Sequence, residues 1–390
     1  MIESKTTYPL LMATALSAVV VSSVLLWNYS IPFHGDILGF YRIGTVLPHS
    51  PYVAPSAGVL AQGEVGYDGQ LFLSVALDPL LAHPQSVASL DNPRYRYRRI
   101  LFPVLGYLLS LGQRQVVPFI LVLINAACLV ALVVVIGRML KARQRPVWGA
   151  LFVLGIPGYW CALLLTTSDL LAALLLALSL ASYRGERYKG LAVCYGLAGL
   201  THETMVVVIG SLTIPLLARK QWRETGTVLT GCIPAVLWNV FVLWRIPSAG
   251  STSGIVESFA FPGAGIVDKV RVALAGPMNA KWLFDTSAFA LLCGTFCFLI
   301  ISLRSKHRLH AGLPCALAYL GFFVLSRMQI LSYYLDFLRV YGSAVLLLVI
   351  SLQYSRWPRV TKATLLVWCG FSIALVAAYS MHLIGAGSAR

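Results

Sequence analysis

Long apolar runs alternate with short polar segments along most of the chain. The first run covers residues 10–27, and a long polar stretch, 29–99, separates it from the others. A hydrocarbon core of about 30 Å takes about 20 helical residues, so runs of this kind predict membrane-spanning helices. The later runs lie at 100–112, 116–137, 147–164, 168–182, 190–201, 204–218, 225–243, 286–303, 311–326, 336–353 and 363–386.

The composition leads to the same fold class. Of the 390 residues 58% are hydrophobic and 11% are charged, whereas a soluble domain carries about 25% charged residues. The mean hydropathy of +0.79 excludes an ordinary soluble domain, and the apolar content excludes disorder. The sequence therefore predicts an all-α, polytopic transmembrane protein that forms a single transmembrane domain over residues 1–390.

Basic residues concentrate in the short loops between the apolar runs. Short basic loops mark the cytoplasmic side of a membrane, while most acidic residues lie elsewhere. This asymmetry predicts that the two long loops, 29–99 and 244–285, face outwards. It also accounts for most of the net charge of +16 without a nucleic-acid partner. The basic clusters lie at 138–145, 184–189, 219–223, 304–308 and 356–362.

Several segments are too short for full crossings. Segment 100–112 is below the length of a span and predicts a re-entrant or interfacial helix. The chain also returns between basic clusters through turns at 166–169 and 201–204, in too few residues for two full spans. Such broken helices are tolerated where their ends line protein or a water-filled cavity. Count and parity predict about eleven crossings, with the N-terminus inside and the C-terminus outside.

Asp68 stands in a Tyr-Asp-Gly turn directly before an amphipathic run. The spacing of the apolar positions predicts a helix lying flat at the membrane interface, with the carboxylate at headgroup height and facing an outer cavity. A structural alternative is that Asp68 forms the turn or caps the helix beside Gly69. The apolar positions are Leu71, Phe72, Val75 and Ala76.

Four arginines interleave with aromatic and apolar residues directly before the short apolar segment. Guanidinium forks match phosphate oxygens, and tyrosines suit interfaces or stacking on sugars. On an outer loop this basic stretch opposes the positive-inside trend, which favours a bound phosphate over a simple interfacial anchor. The four are Arg94, Arg96, Arg98 and Arg99.

Six further ionisable residues lie within or at the ends of apolar runs. A charge at membrane depth costs roughly 2.5–3.5 kcal/mol on insertion scales, so each one predicts a function by default. Asp336 and Arg339, one helical turn apart, have the alternative of pairing with each other. The adjacent His202 and Glu203 are expected to cap a helix break and face a cavity. The set is Asp169, His202, Glu203, Arg327, Asp336 and Arg339.

Other chemistry finds little support in the sequence. All eight cysteines lie in apolar runs without metal-binding spacing, so buried small hydrophobes are predicted rather than disulfides or a zinc site. No nucleotide-binding motif is present, which excludes an ATP-driven pump. No cofactor is predicted with certainty: a divalent metal is not required, although Asp36 or Glu203 could complete a site for one.

The segment Tyr67-Asp-Gly-Gln-Leu-Phe-Leu-Ser-Val-Ala76 resembles the Trp-Asp-Gly…Ala motif of the GPI mannosyltransferase II family. That family belongs to the GT-C superfamily of integral-membrane glycosyltransferases. The segment is closer still to a bacterial relative implicated in cell-surface glycopolymer formation, in which Tyr-Asp-Gly-Gln precedes Arg-Tyr-Arg-Arg…Pro. Residues 96–103 match that second motif, while Tyr67 stands where the eukaryotic motif has tryptophan.

The resemblance implies a GT-C fold in a bacterial inner membrane. It also implies a glycosyltransferase that moves sugar from a polyprenyl-phosphate donor to a glycan or lipid-linked acceptor on the outer face. Asp68 would be the catalytic base, with Asp36 as a rival because it follows the first helix closely. Candidate residues for binding the substrate or lipid phosphate are Tyr67, Gln70, Arg96, Arg98, Arg99, Asp169, His202, Glu203, Arg327 and Arg339.

Two other classes of protein share these sequence features. A transporter or flippase of a lipid-linked saccharide would also need intramembrane charges and broken helices. A non-catalytic scaffold for envelope assembly would need the membrane topology without the chemistry.

Overall fold

The architecture is known from a computed structural model that describes residues 2–246, 259–303, 312–353 and 358–388. Within these ranges all regular structure is helical, and the only β-pairing consists of two isolated bridges, Gly44–Ala61 and Phe259–Ser326. The predicted all-helical class is confirmed for the described part of the chain.

The helices follow the apolar runs closely. The α-helices are α1 (Ile2–Ser30), α2 (Asp68–Leu77), α3 (Pro84–Ala88), α4 (Pro93–Arg98), α5 (Leu101–Leu109), α6 (Val117–Lys141), α7 (Pro157–Leu164), α8 (Asp169–Arg184), α9 (Tyr188–Thr201), α10 (Thr204–Gly210), α11 (Thr213–Ala218), α12 (Trp222–Leu229), α13 (Cys232–Arg245), α14 (Ala264–Ala275), α15 (Ala280–Leu303), α16 (Gly312–Leu325), α17 (Met328–Leu331), α18 (Tyr334–Val340), α19 (Gly342–Ser351) and α20 (Pro358–Ser388). Three 3₁₀ helices cover Ile37–Tyr41, Ala57–Val59 and Val147–Gly155.

Five helical stretches in the described ranges are long and apolar enough to cross a membrane. Two further pairs are apolar enough together but bent, the 3₁₀ helix Val147–Gly155 with α7 by 61° and α18 with α19 by 45°. Counting each bent pair as one span gives up to seven. The five are Tyr8–Ser30, Val117–Lys141, Trp222–Arg245, Ala280–Ile301 and Pro358–Met381.

Some of the predicted topology lies outside the described residues. This holds for the basic cluster at 304–308, for Arg356 and for residues 247–258 of the second long loop.

The predicted short segment 100–112 is the nine-residue helix α5, which packs on α6 and places Gly106 against the Leu121 side chain. Of the eight cysteines, which were expected to be buried, three are buried, four are partly buried and Cys297 on α15 is exposed.

Helix α2 forms where it was predicted, but its surroundings differ from the prediction. All nine residues after Asp68 are buried, so α2 is enclosed by protein rather than lying flat with a polar face in water. Leu71 and Val75 pack with Tyr97 of α4 and Val242 of α13. The opposite side of α2 joins the main core, where Phe72 and others lie. The amphipathic pattern reflects two different protein neighbours.

Helix α4 is fastened to both α2 and α13, and this fixes the arginines it carries. The Tyr97 hydroxyl donates to the carbonyl of Asp78 at 2.8 Å, just after α2, and Trp238 Nε1 of α13 donates to the Tyr97 carbonyl at 2.6 Å. Arg94 Nε donates to the Ile246 carbonyl at 2.8 Å, at the end of α13. Arg94 thus caps a helix C-terminus, where a cation is favourable.

Candidate active site

Asp68 is the first residue of α2, and the turn before it depends on glycine. Gly66 has φ +92°, a conformation that other residues rarely adopt, and the next amide, Tyr67 N, donates to the Arg42 carbonyl at 3.1 Å. Gly69 lies so close to the loop after α7 that an added Cβ would be 2.1 Å from the Leu165 carbonyl oxygen. The Tyr-Asp-Gly motif therefore sets the depth at which the Asp68 carboxylate sits.

The Asp68 carboxylate is held between two arginines from distant parts of the chain. Arg96 Nη1 of α4 donates to Oδ1 at 2.8 Å, and Arg339 Nη1 of α18 donates to Oδ2 at 2.6 Å. The three side chains are 17%, 11% and 10% exposed, in the order Asp68, Arg96 and Arg339. Both carboxylate oxygens thus have a charged donor in a largely water-excluded place.

These charges determine the protonation of Asp68. Burial by itself raises the pKa of the carboxyl, but the positive charges of Arg96, Arg339 and Arg99 outweigh it and hold the pKa of Asp68 well below its usual range. Asp68 is therefore a carboxylate at neutral pH. While both ion pairs persist, it is also a weak base.

A further ion pair, between Arg99 and Glu203, also lines the site. Arg99 donates from Nε and Nη2 to Glu203 at 2.9 and 2.6 Å, and its guanidinium lies over the Tyr95 ring and contacts the Tyr95 hydroxyl. Burial is the largest single influence and raises the pKa of Glu203, but the charge and hydrogen bonds of Arg99 and smaller favourable contacts together outweigh it, so the pKa is lowered. This is the bidentate geometry that lysine does not reproduce.

His202 and Glu203 lie at the break between α9 and α10, as the sequence predicted. Burial, reinforced by the charge of Arg99, lowers the pKa of His202 to about 4, so its imidazole is neutral at neutral pH. The ring Nδ1 is 2.8 Å from the Thr204 hydroxyl. A neutral imidazole and a hydroxyl are groups suited to the hydroxyls of a sugar.

Asp169 begins α8 and extends the charge network. Its Oδ2 accepts from the Thr167 hydroxyl at 2.6 Å and lies 3.5 Å from Arg339 Nη1. Asp336 accepts instead from the Tyr67 hydroxyl at 2.6 Å, and the Arg339 guanidinium lies over the Tyr67 ring. The ion-pair partners of Arg339 are thus Asp68 and Asp169, rather than its helical neighbour Asp336.

These residues line a cavity of about 440 Å³ whose wall combines charged side chains with apolar and aromatic ones. The charged residues come from α2, α4, α8, α18 and the helix breaks, and the apolar and aromatic residues chiefly from α16 to α18. The charged lining residues are Asp68, Asp91, Arg96, Arg99, Asp169, Glu203, Asp336 and Arg339, with His202 among them; the apolar and aromatic ones include Phe259, Tyr319, Phe322, Ile330 and Val340.

The structure brings most of the predicted site residues together around this cavity. Tyr67 and Gln70 do not line the cavity. The Tyr67 ring lies against the Arg339 guanidinium, and the buried Gln70 accepts through Oε1 from Gly44 N at 2.8 Å. Arg98 and the exposed Arg327 do not line it. The predicted residues that do are Asp68, Arg96, Arg99, Asp169, His202, Glu203 and Arg339.

Asp36, the rival catalytic acid, lies away from the cavity. One carboxylate oxygen accepts from Leu38 N at 2.9 Å, which caps the 3₁₀ helix Ile37–Tyr41, and the other accepts from the Ser56 hydroxyl at 2.6 Å. Both oxygens therefore have local structural partners. The geometry favours Asp68 over Asp36 as the acid that meets a ligand.

Two cavity acids were not among the predicted ligand-binding residues. Asp91 accepts from Arg96 Nε and Nη2 at 2.8 and 2.7 Å, and Asp336 accepts from Tyr67. Asp91 is five positions before Arg96 and directly precedes an Asn-Pro helix start, a local signal that could have suggested it. The contact of Asp336 with Tyr67 spans 269 positions and has no such signal.

Among the residues that the structure describes, no group of three or more His, Cys, Asp or Glu side chains is arranged to hold a metal ion.

Comparisons with models of protein families, with curated proteins and with solved structures find no match for this chain. Its function is therefore inferred from the site itself.

Proposed function

We propose that this chain is a GT-C-type glycosyltransferase of a bacterial inner membrane. It would transfer a sugar from a polyprenyl-phosphate donor to an acceptor hydroxyl on the outer face, for cell-surface glycan synthesis. The observation that carries the proposal is the position of Asp68, an acid at a helix start, between Arg96 and Arg339 in a cavity lined by both charged and apolar residues. Such a cavity suits an amphiphile with an anionic, sugar-bearing head.

The helix arrangement supports a GT-C-like topology with about eleven crossings. Seven of these would be the five long spans and the two bent pairs. The other four would be α8 and α9, with 16 and 14 residues, α10 together with α11, and the 14-residue α16. Short helices of this kind place their ends, and the polar residues there, below the membrane surface.

In the proposed reaction the acceptor oxygen attacks C1 of the donor sugar. Asp68 accepts the proton of that hydroxyl, a new C1–O bond forms, and the bond from C1 to the phosphate oxygen breaks. The electron pair leaves with polyprenyl phosphate. Because this leaving group is a stable anion, one carboxylate is sufficient, and the configuration at C1 inverts.

Arg96 and Arg339 would stabilise the charge that grows on the leaving phosphate, since both guanidinium groups already face an anion in the same place. Arg99 would do so less directly, because Glu203 occupies its fork. His202 and Thr204, neutral and hydrogen-bonded to each other, would contact sugar hydroxyls.

The test is sugar transfer by the purified chain in proteoliposomes, with polyprenyl-phosphate sugars as donors and membrane-glycan or lipid-linked acceptors. Asp68→Asn should lose transfer by at least about a hundredfold, the lower range for a general base. Asp36→Asn, which keeps the oxygen needed for its cap, should retain activity. Full activity in Asp68→Asn would refute the assigned base.

A flippase for lipid-linked saccharides is the alternative that specific observations favour, namely the two bent helix pairs and the buried charges. The same proteoliposomes distinguish the two functions. Movement of the lipid-linked sugar between leaflets, without formation of any glycosidic bond, would replace the transferase with the flippase.

A further inference from the structure

Both arginines that hold Asp68 have a second carboxylate partner. Arg96 uses Nε and Nη2 on Asp91, at 2.8 and 2.7 Å, and only its Nη1 on Asp68. Arg339 Nη1 is also 3.5 Å from Asp169 Oδ2. If Asp68 released both arginines, Asp91 and Asp169 would still hold them in position. Release of Asp68 would therefore leave each arginine with one carboxylate partner.

Arg339 also has an unused donor. Its Nε is buried and has no hydrogen-bond partner among the described residues, although the side chain is only 10% exposed. A buried guanidinium donor without an acceptor is unfavourable, and such groups are rare in folded proteins. An incoming anion with several oxygens would satisfy it, whereas the carboxylate of Asp68 contacts only Nη1.

We propose that a phosphate-bearing ligand binds this cavity by replacing the Asp68 carboxylate on Arg96 and Arg339, and that the exchange releases Asp68 to act as a base. The inference rests on the proposed function and adds an order of events to it. The lipid-linked donor binds first, and only then is Asp68 able to accept the proton of the acceptor hydroxyl.

The electrostatics of the site agree with this order. In the unliganded chain two guanidinium charges stabilise ionised Asp68, which keeps its pKa low. A phosphodiester that takes over these donors removes that stabilisation and adds a negative charge nearby, and both changes increase the proton affinity of the carboxylate. Free enzyme would consequently not deprotonate water or an acceptor before the donor arrives.

The exchange makes an unusual prediction: removing the charge of Asp68 should strengthen phosphate binding. In direct binding to the purified full-length chain in detergent, Asp68→Asn should bind polyprenyl phosphate about tenfold more tightly than wild type, because one charge-assisted competitor is lost. Asp268→Asn removes the same charge from an exposed i,i+3 pair on α14 and should leave the affinity unchanged.

Two further probes identify what is recognised. Polyprenol, which lacks phosphate, should bind wild type and Asp68→Asn equally. If Asp68→Asn binds both inorganic phosphate and polyprenyl phosphate more tightly than wild type, the exchange is supported and the phosphate alone is recognised. If it binds only polyprenyl phosphate more tightly, the exchange is also supported, but recognition requires the lipid chain as well. Equal or weaker binding of polyprenyl phosphate by Asp68→Asn, or an equal gain for polyprenol, overturns the proposal.

A second variant covers the case in which Asp68→Asn does not fold. Arg339→Gln removes one of the two exchanged donors and should weaken polyprenyl phosphate binding about tenfold; unchanged affinity would overturn the exchange. Failure of the proposed function gives a different result. Tighter binding by Asp68→Asn with no transfer by wild type refutes the transferase alone, and transfer by wild type with no gain in Asp68→Asn refutes the exchange alone.

Discussion

Replacement of Arg96 by lysine tests whether the guanidinium fork, rather than the positive charge, organises the site. Arg96 makes three hydrogen bonds to two carboxylates: Nε and Nη2 to Asp91 and Nη1 to Asp68, all between 2.7 and 2.8 Å. A lysine ammonium is a single point and cannot reproduce a planar fork that reaches both acids. At least one charge-assisted bond should therefore be lost.

Each such bond contributes about 1.5–3 kcal/mol, and Arg96 is buried enough for this figure to apply. Arg96→Lys should thus lower donor use, measured as kcat/KM for the lipid-linked sugar, by roughly tenfold to 150-fold. Arg98→Lys is the matched control, because Arg98 is two positions away on the same helix and does not line the cavity. It should change kcat/KM by no more than about twofold.

Unfolding measurements separate a local effect from a general loss of structure, since both variants should retain cooperative thermal unfolding. An Arg96→Lys enzyme with the kcat/KM of Arg98→Lys would refute the role of the fork. It would return residues 94–99 to the reading in which they only anchor the chain at the membrane interface. A loss confined to Arg98→Lys would show that the phosphate contact lies outside this cavity.

Three further predictions follow from the same geometry. Gly69→Ala should abolish transfer, and should lower the unfolding temperature, because its Cβ would lie 2.1 Å from the Leu165 carbonyl oxygen; wild-type activity in this variant would contradict the close approach. Because Arg96 and Arg339 lower the pKa of Asp68, its ion pairs stabilise the fold above the ordinary pKa of about 4 and lose that effect as the pH falls through the folded pKa. Thermal unfolding between about pH 5 and about pH 3 should therefore shift more in wild type than in Asp68→Asn, and equal shifts would contradict the linkage. Cysteine at the exposed Gln85 should react with an impermeant thiol reagent from outside, and cysteine at the exposed Gln144 only after permeabilisation; the opposite result would place the cavity on the cytoplasmic side.

Asp91 and Asp36 illustrate why the residue type alone did not identify the roles of the acids. Both lie in the first long loop and both precede a short helix. Asp36 uses its two oxygens within twenty positions of the chain, on Leu38 N and Ser56. Asp91 also binds locally, to Arg96, but that arginine is held by Asp68 as well and so belongs to the site. The two acids differ because the partner of Asp91, Arg96, also binds the distant Asp68, and that contact depends on how the helices pack.

The sequence by itself determined the helical class, the positions of the long apolar helices and the positions of the helix breaks. These properties depend on local patterns: unbroken apolar runs must form helices in a membrane, and a polar pair such as His202 and Glu203 between two apolar runs marks a break. The helix after Asp68 and the short helix α5 were predictable for the same reason, because periodicity and length are properties of neighbouring residues.

Only the tertiary structure decided which charges meet. Arg339 lies 271 positions from Asp68, and no local pattern distinguishes this pairing from one with Asp336 on its own helix. Similarly, the amphipathic pattern of α2 was compatible with one face of the helix in water, but in the structure the face that carries Leu71 and Val75 packs on α4 and α13. Long-range pairing depends on how the helices pack around one cavity, and this follows from the summed shape of many side chains rather than from the sequence near any one of them.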